Sequence, residues 1–198
     1  MEVIIGEDGV ARCWWGGSTP DYRAYHDDEW GMPVDDEFRL FEKLCLEGFQ
    51  SGLSWLTILR KREDFRRVFH DFDFTVVAEM AETDVERLLQ DASIVRHRGK
   101  IEASINNASR AIEIAAELGS LGALIWQYEP ADRVPTTIPA VTDESTALAK
   151  ELKRRGFRFF GPTTAYAFMQ AMGLVNDHLA GCEARDRVDK ARQRFKRP

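Results

Sequence analysis

The chain has 198 residues, 44% hydrophobic and 30% charged, which suits one ordinary or two-lobed domain with a real core and excludes a disordered tail. No apolar run approaches the roughly 20 residues of a membrane-spanning helix, the first residues lack the basic and apolar stretches of a signal peptide, and three scattered cysteines argue for a reducing cytoplasm rather than a disulfide framework. The net charge of −6 argues against nucleic acid only on average, because basic residues cluster at 61–67, 96–100, 153–158 and over the last 14 residues.

In chain order the pattern reads as helix after helix. Residues 37–50 set Phe38, Phe41, Leu44 and Cys45 at helical spacing behind Asp35 and Asp36, either of which can cap, and Gly48 and Gly52 weaken and then end the helix. Trp55, Leu56, Ile58 and Leu59 begin a second helix, and 64–70 a short third. Thr75 reads as the cap of 76–80 and Thr83 as the cap of 84–90, with Glu86 completing a capping box. After a break at 93–99, residues 100–118 carry the longest amphipathic stripe, through Ile101, Ile105, Ala108, Ile112 and Ala115. A short helix at 121–128, a proline-rich loop at 129–141, a helix at 143–155 capped by Thr142, and a helix at 163–172 opened by Pro162 complete the series. Only 157–160 looks like a strand. The expected class is all-α.

Four residues carry metal chemistry. Cys13 and His26 lie near one terminus, and His178 and Cys182 lie four apart near the other. Two thiolates and two imidazoles suit a closed tetrahedral Zn2+ site that staples the ends together; the competing reading makes the cysteines small apolar fillers. Cys45, between Leu44 and Leu46, reads as core. Trp14, Trp15, Tyr22, Tyr25 and Trp30 crowd into 17 residues without a helical stripe, so they cover the core or line a pocket. Glu47 sits on the apolar side of its helix, where it serves either as a buried helix partner or as an acceptor for a polar ligand between aromatics such as Trp55. The turn 94–101 offers free backbone N–H groups and the helix dipole at Gly99, with Arg98 and Lys100 beside it: a hairpin suited to DNA phosphates, or else a plain solvated turn.

The stretches Tyr25-His26-Asp27-Asp28-Glu29-Trp30-Gly31, Leu46-Glu47-Gly48-Phe49-Gln50-Ser51-Gly52-Leu53-Ser54-Trp55, Val95-Arg96-His97-Arg98-Gly99-Lys100-Ile101 and Phe168-Met169-Gln170-Ala171-Met172-Gly173-Leu174-Val175-Asn176-Asp177-His178 resemble the bacterial 3-methyladenine DNA glycosylase I family. The resemblance runs in order from about Ala11 to Cys182. It implies a helix-hairpin-helix glycosylase fold and excision of 3-methyladenine from double-stranded alkylated DNA by a monomer. By position it implies one structural Zn2+ on Cys13, His26, His178 and Cys182. The base pocket falls on Glu47, Tyr25 and Trp55, with Tyr22 and Trp15 nearby. The implied DNA contacts are the wedge Gly52-Leu53 and the hairpin Arg98, Gly99 and Lys100.

Residues 13–182 are then one zinc-stapled domain, 1–12 an N-terminal extension and 183–198 a basic tail. Phe49 stands where some relatives carry a polar residue and is expected at the pocket rim. The catalytic Asp that many hairpin glycosylases carry roughly twenty residues after the hairpin is missing from 115–121, which fits a cationic base that leaves without protonation. No lysine lies in the pocket segments, so no Schiff base is expected. The rivals are a non-catalytic module binding damaged DNA or free alkylated purine, and a zinc-stapled interaction domain.

Overall fold

The computed structural model describes residues 2–131 and 138–198. Among the described residues the regular elements are ten α-helices, two short 3-10 helices and one small sheet. The helix α2 (Glu37–Gln50) forms the axis: Leu40, Phe41, Leu44, Cys45, Leu46 and Phe49 are all buried, so it is enclosed by neighbours instead of showing one apolar stripe. Asp36 caps it, its carboxylate accepting from Arg39 N at 2.8 Å. Around it pack α3 (Trp55–Val68), α6 (Arg98–Leu118), α7 (Leu121–Ile125) and α9 (Pro162–Ala171). The Glu37 carboxylate also accepts from Leu121 N and Gly122 N at 2.6 and 3.0 Å, so the first turn of α2 caps α7.

Several expected boundaries move. The helix α3 runs unbroken through 64–68, absorbing the third short helix. The capping residue of α4 (Phe74–Val77) is Asp73 rather than Thr75. In α5 (Glu82–Gln90), Asp84 reaches back to Ala81 N at 3.0 Å, the role expected of Glu86. Thr142 does cap α8 (Asp143–Arg154), and Pro162 does open α9. Most of the loop expected at 129–141 lies outside the described residues.

The structure is mostly helical, as expected, with one tiny sheet that the sequence pattern did not suggest. β1 (Val3–Ile5) and β2 (Ala11–Cys13) form an antiparallel hairpin, with Val3 opposite Cys13 and Ile5 opposite Ala11. This hairpin ends on Cys13, which it holds in a buried position. Residues 157–160 are no strand: the Asn107 side chain accepts from Arg158 N at 2.9 Å and donates to Arg158 O at 3.0 Å, supplying the partners that a sheet would. The basic tail folds as α10 (Glu183–Arg194), whose buried Arg192 donates to Gly173 O and to Glu129, while Phe195 packs on Trp126. Gly173 is required there, because a Cβ would lie 2.5 Å from Pro33 N.

Candidate active site and metal cluster

The helix α1 (Pro20–Asp28), capped by Thr19, puts Tyr22 and Tyr25 on one face at i, i+3 spacing. They meet Trp55 at the start of α3 and Trp15 from the preceding loop around a cavity of about 470 Å³, the size of many small-molecule sites. Its walls also include Trp30, Glu47, Gln50, Ala167 and Gln170. The rings of Trp15 and Tyr22 meet edge to face at 5.6 Å, those of Tyr25 and Trp55 at a tilt at 5.5 Å. Tyr22 is locked by accepting from Leu56 N at 3.1 Å, and Trp55 Nε1 is buried with no hydrogen-bond partner among the described residues. All five residues expected at the base pocket, Glu47, Tyr25, Trp55, Tyr22 and Trp15, line this one cavity.

Glu47 is only 5% exposed, and Lys43, one helical turn earlier, holds it at 2.9 Å. The same ammonium donates to Tyr25 Oη at 2.9 Å and lies 3.3 Å from the centre of the Trp55 ring. Burial pulls Lys43 below the ordinary lysine value, opposed by Glu47 beside it. Burial, and then the Glu47 and Glu29 charges, push Tyr25 well above the ordinary tyrosine range. The pocket segments contain no lysine, yet the fold brings Lys43 against them. A signal was present: a lysine at i−4 from a glutamate on a helix too apolar to leave either in water. Phe49, in contrast, is not at the rim. It is buried against Phe65 and Phe69, and Gln50 takes the rim position.

The four residues expected as metal ligands converge. Cys13, His26, His178 and Cys182 are all buried, with their ligand atoms within 4.8 Å of one another. Cys182 Sγ lies 3.5 Å from His178 Nδ1 and 3.6 Å from His26 Nε2, and Cys13 Sγ lies 3.8 Å from His178 Nδ1. The outward ring nitrogens are occupied: His26 Nδ1–H donates to Asp27 at 2.8 Å and His178 Nε2–H to Trp30 O at 3.0 Å, which turns the other nitrogen of each ring inward. Asp27 is in turn held by Arg12 at 2.9 Å. Cys13, hydrogen-bonded to Cys182 and buried, is pushed up, while that bond and those from His178 and His26 bring Cys182 down. Gly16 has no room for a Cβ, which would meet the His26 ring at 2.5 Å. These four side chains could hold a metal ion between them. Cys45 lies apart from them, in the core, its thiol pushed up to about 12 by burial.

A family model described as methyladenine glycosylase matches residues 15–186. The chain belongs to that family. It is 51% identical over 179 residues to DNA-3-methyladenine glycosylase 1 of Escherichia coli strain K12, covering 87% of this chain and 96% of that protein. It is 45% identical over 179 residues to DNA-3-methyladenine glycosylase of Haemophilus influenzae, covering 87% of this chain and 97% of that one. A solved structure of 3-methyladenine DNA glycosylase I from Staphylococcus aureus, described as showing the basis of 3-methyladenine recognition, superposes with a TM-score of 0.84 at 39% identity, covering 88% of this chain and 96% of that one.

On the face expected to meet DNA, Gly52 adopts φ +82° and leaves Leu53 42% exposed at the tip of the α2–α3 turn, beside Gln50 and Trp55. The hairpin between α5 and α6 is capped by His97, whose Nδ1 accepts from Lys100 N at 3.3 Å. The Lys100 side chain corrects the expected phosphate contact. It is 7% exposed and donates to Phe49 O at 2.9 Å and Ser51 O at 2.6 Å, so it closes the end of α2 instead of facing solvent. Arg98 is drawn to Glu82, Glu86 and Glu102. The basic groups at 61–67 are partnered within the chain as well: Arg62 pairs with Glu29, Arg66 with Glu42, Arg67 with Asp91, and Lys61 donates to Ala92 O and Ser93 O. Among the described residues Arg96, exposed on the hairpin, forms no ion pair.

Proposed function

We propose that the protein is a monofunctional DNA-3-methyladenine glycosylase that flips the damaged nucleotide out of double-stranded DNA into the aromatic cavity. The observation that carries the reading is a buried carboxylate, Glu47, set into a cavity walled by Trp15, Tyr22, Tyr25 and Trp55. Unstacking a base costs a few kcal/mol, offset in part by restacking on aromatic rings. Leu53, apolar and exposed beside the cavity mouth, suits the gap left in the duplex. The free main-chain N–H groups at Arg98 and Gly99, with Arg96, suit a phosphate.

A 3-methylated adenine nucleotide is cationic. When its C1′–N9 bond breaks, the bonding pair neutralises the base, the sugar carbon becomes electron-poor, and water adds there with loss of a proton. Glu47 contributes without covalent chemistry. A carboxylate has about four acceptor positions, so it can accept from the purine's amino edge beyond its bond to Lys43, and its charge favours the cation that develops on the sugar. No second carboxylate is needed as an acid: Glu117, in the stretch where hairpin relatives carry Asp, is paired with Arg155 at 2.7 Å. Lys43 is held by three groups, so the strand stays uncut.

The metal is inferred to be Zn2+. Zinc bonds of about 2.3 Å to sulfur and 2.0–2.1 Å to nitrogen give tetrahedral S···N edges of about 3.5 Å, close to the 3.5, 3.6 and 3.8 Å found. Four protein ligands leave no open position, so the ion would be structural. No helix among the described residues is long and apolar enough to cross a membrane, and three buried cysteines that form no disulfide suit a cytoplasmic protein. One chain supplies the whole cavity, which suits a monomer. Incubation with methylated duplex DNA and chromatography of the released bases tests the proposal. Release of 3-methyladenine supports it, and binding without release would make the protein a non-catalytic module.

A further inference from the structure

We propose that Lys43 is a positioning residue of the base pocket, clamping Glu47, Tyr25 and Trp55 from behind; the inference rests on the glycosylase reading above. A second cavity of about 150 Å³ adjoins the first. Tyr25 and Trp55 line both cavities, whereas Lys43 lines only the second. The two rings are thus the partition, and the lysine stands on its far side. From there one ammonium makes three contacts, each to a different pocket wall: Glu47 Oε1 at 2.9 Å, Tyr25 Oη at 2.9 Å and the Trp55 ring at 3.3 Å. These walls come from α2, α1 and α3, so the ammonium is a point where three helices are registered against one another.

A buried ammonium persists only where it is paired. The other charged groups around it are committed elsewhere: Glu29 of α1 is bound by Arg62 of α3 at 2.6 Å and approached by Arg39 at 3.5 Å, and Glu42 of α2 is bound by Arg66 at 2.9 Å. Among the described residues Glu47 is the carboxylate left to Lys43. The consequence runs both ways. Lys43 fixes which oxygen of Glu47 is used up and which remains for a base, and it presses Trp55 and Tyr25 into the tilted pair that a purine would stack upon. A methionine of similar length would fill the space and do neither.

Release of 3-methyladenine from methylated duplex under single-turnover conditions is measured for the unmodified protein, Lys43→Met, Lys43→Arg, Glu47→Gln and the Lys43→Met/Glu47→Gln double variant. Lys43→Met should slow release by about 2- to 150-fold, the range of coupling between contacting residues. In the double variant the loss should be clearly smaller than the product of the two single losses. Lys43→Arg, which keeps the charge and the ring contact and has the adjoining cavity to expand into, should recover most of the rate. Losses that multiply, or an arginine variant as slow as the methionine variant while both melt with the unmodified protein, would overturn the proposal. Should Lys43→Met fail to fold, Lys43→Gln takes its place in the cycle. An unmodified protein that releases no 3-methyladenine defeats the glycosylase reading instead, and the same variants are then compared by tryptophan-quenching titration with free 3-methyladenine, on which the same non-additivity decides.

Discussion

Replacing Glu47 by Gln removes a charge and keeps the shape. The carboxylate is 5% exposed and lies 2.9 Å from the Lys43 ammonium. Deleting one partner of a buried pair outright costs about 3–5 kcal/mol. The amide oxygen still accepts from Lys43, so the expected loss is nearer the worth of a hydrogen bond to a charged group, about 1.5–3 kcal/mol. At roughly 2–4 °C per kcal/mol for a chain of this size, the melting temperature should fall by about 3–12 °C. The effect on chemistry should be larger. If the charge stabilises the electron-poor sugar by about 1.4–4 kcal/mol, release of 3-methyladenine slows by about 10- to 1000-fold. Single-turnover release from methylated duplex, quantified by chromatography at a temperature well below both melting points, separates the two effects. The unmodified protein should release cationic 3-methyladenine well and neutral damaged purines poorly. A Glu47→Gln protein that releases 3-methyladenine at the unmodified rate would refute the electrostatic role assigned to this residue.

Elemental analysis of protein purified without added metal should find one zinc per chain; Cys182→Ser should lose it and melt lower, whereas Cys45→Ala should keep it. Arg96→Ala should flatten the salt dependence of duplex binding by about one unit of slope, as one lost phosphate contact does, while Lys100→Ala should leave that slope unchanged and lower the melting temperature, because its ammonium closes α2. Acid should destabilise the fold late. Hydrogen bonds from Arg12 to Asp8, from Ser93 and then Arg67 to Asp91, and from Arg154 to Glu151 hold these carboxyls at about 2, against about 4 in an unfolded chain. Between those values the unfolded chain takes up protons that the folded one refuses, so their stabilisation is complete above about pH 4 and disappears on the way to pH 2; a melting temperature unchanged from pH 4.5 to 2.5 would contradict this.

The sequence discloses features with a local cause and conceals those that depend on the fold. Thr142 and Pro162 could be placed, and the cap of α2 narrowed to Asp35 or Asp36, because capping is settled within a few residues. The aromatic crowd at 14–30 could be recognised because such rings on a loop demand a partner. The β1–β2 hairpin could not, because a strand of three residues is too short to show a period of two. Nor could Lys100 and the 61–67 cluster, whose charges read as free until acceptors distant in the chain, such as Phe49 O and Glu29, are brought up to them. Phe49 differs from the expected rim position by one step of a helix: successive side chains on α2 point about 100° apart, so Gln50 reaches the cavity and Phe49 the core.

The Cys/His cluster and the aromatic cavity share a helix and a ring. Tyr25 and His26 are consecutive on α1, so the bond that would fix His26 Nε2 on a metal also sets the rotation at which Tyr25 enters the cavity. Trp15 lies between the two, its ring 5.0 Å from that of His26 on one side and 5.6 Å from that of Tyr22 on the other. Gly16 beside it admits the imidazole only because it lacks a Cβ. Without an ion, His26 and His178 would be held from their outer nitrogens alone, by Asp27 and Trp30 O, and two buried thiols would lie close together without the cation that both can bind. The first structural consequence falls on Trp15 and Tyr25, which are pocket walls, before it reaches the core around α2, which belongs to a hydrophobic cluster separate from that of Cys13 and Cys182. A chelated protein should therefore lose affinity for 3-methyladenine at temperatures where its helix content is still intact, which makes the staple a determinant of the site's shape as well as of the chain's stability.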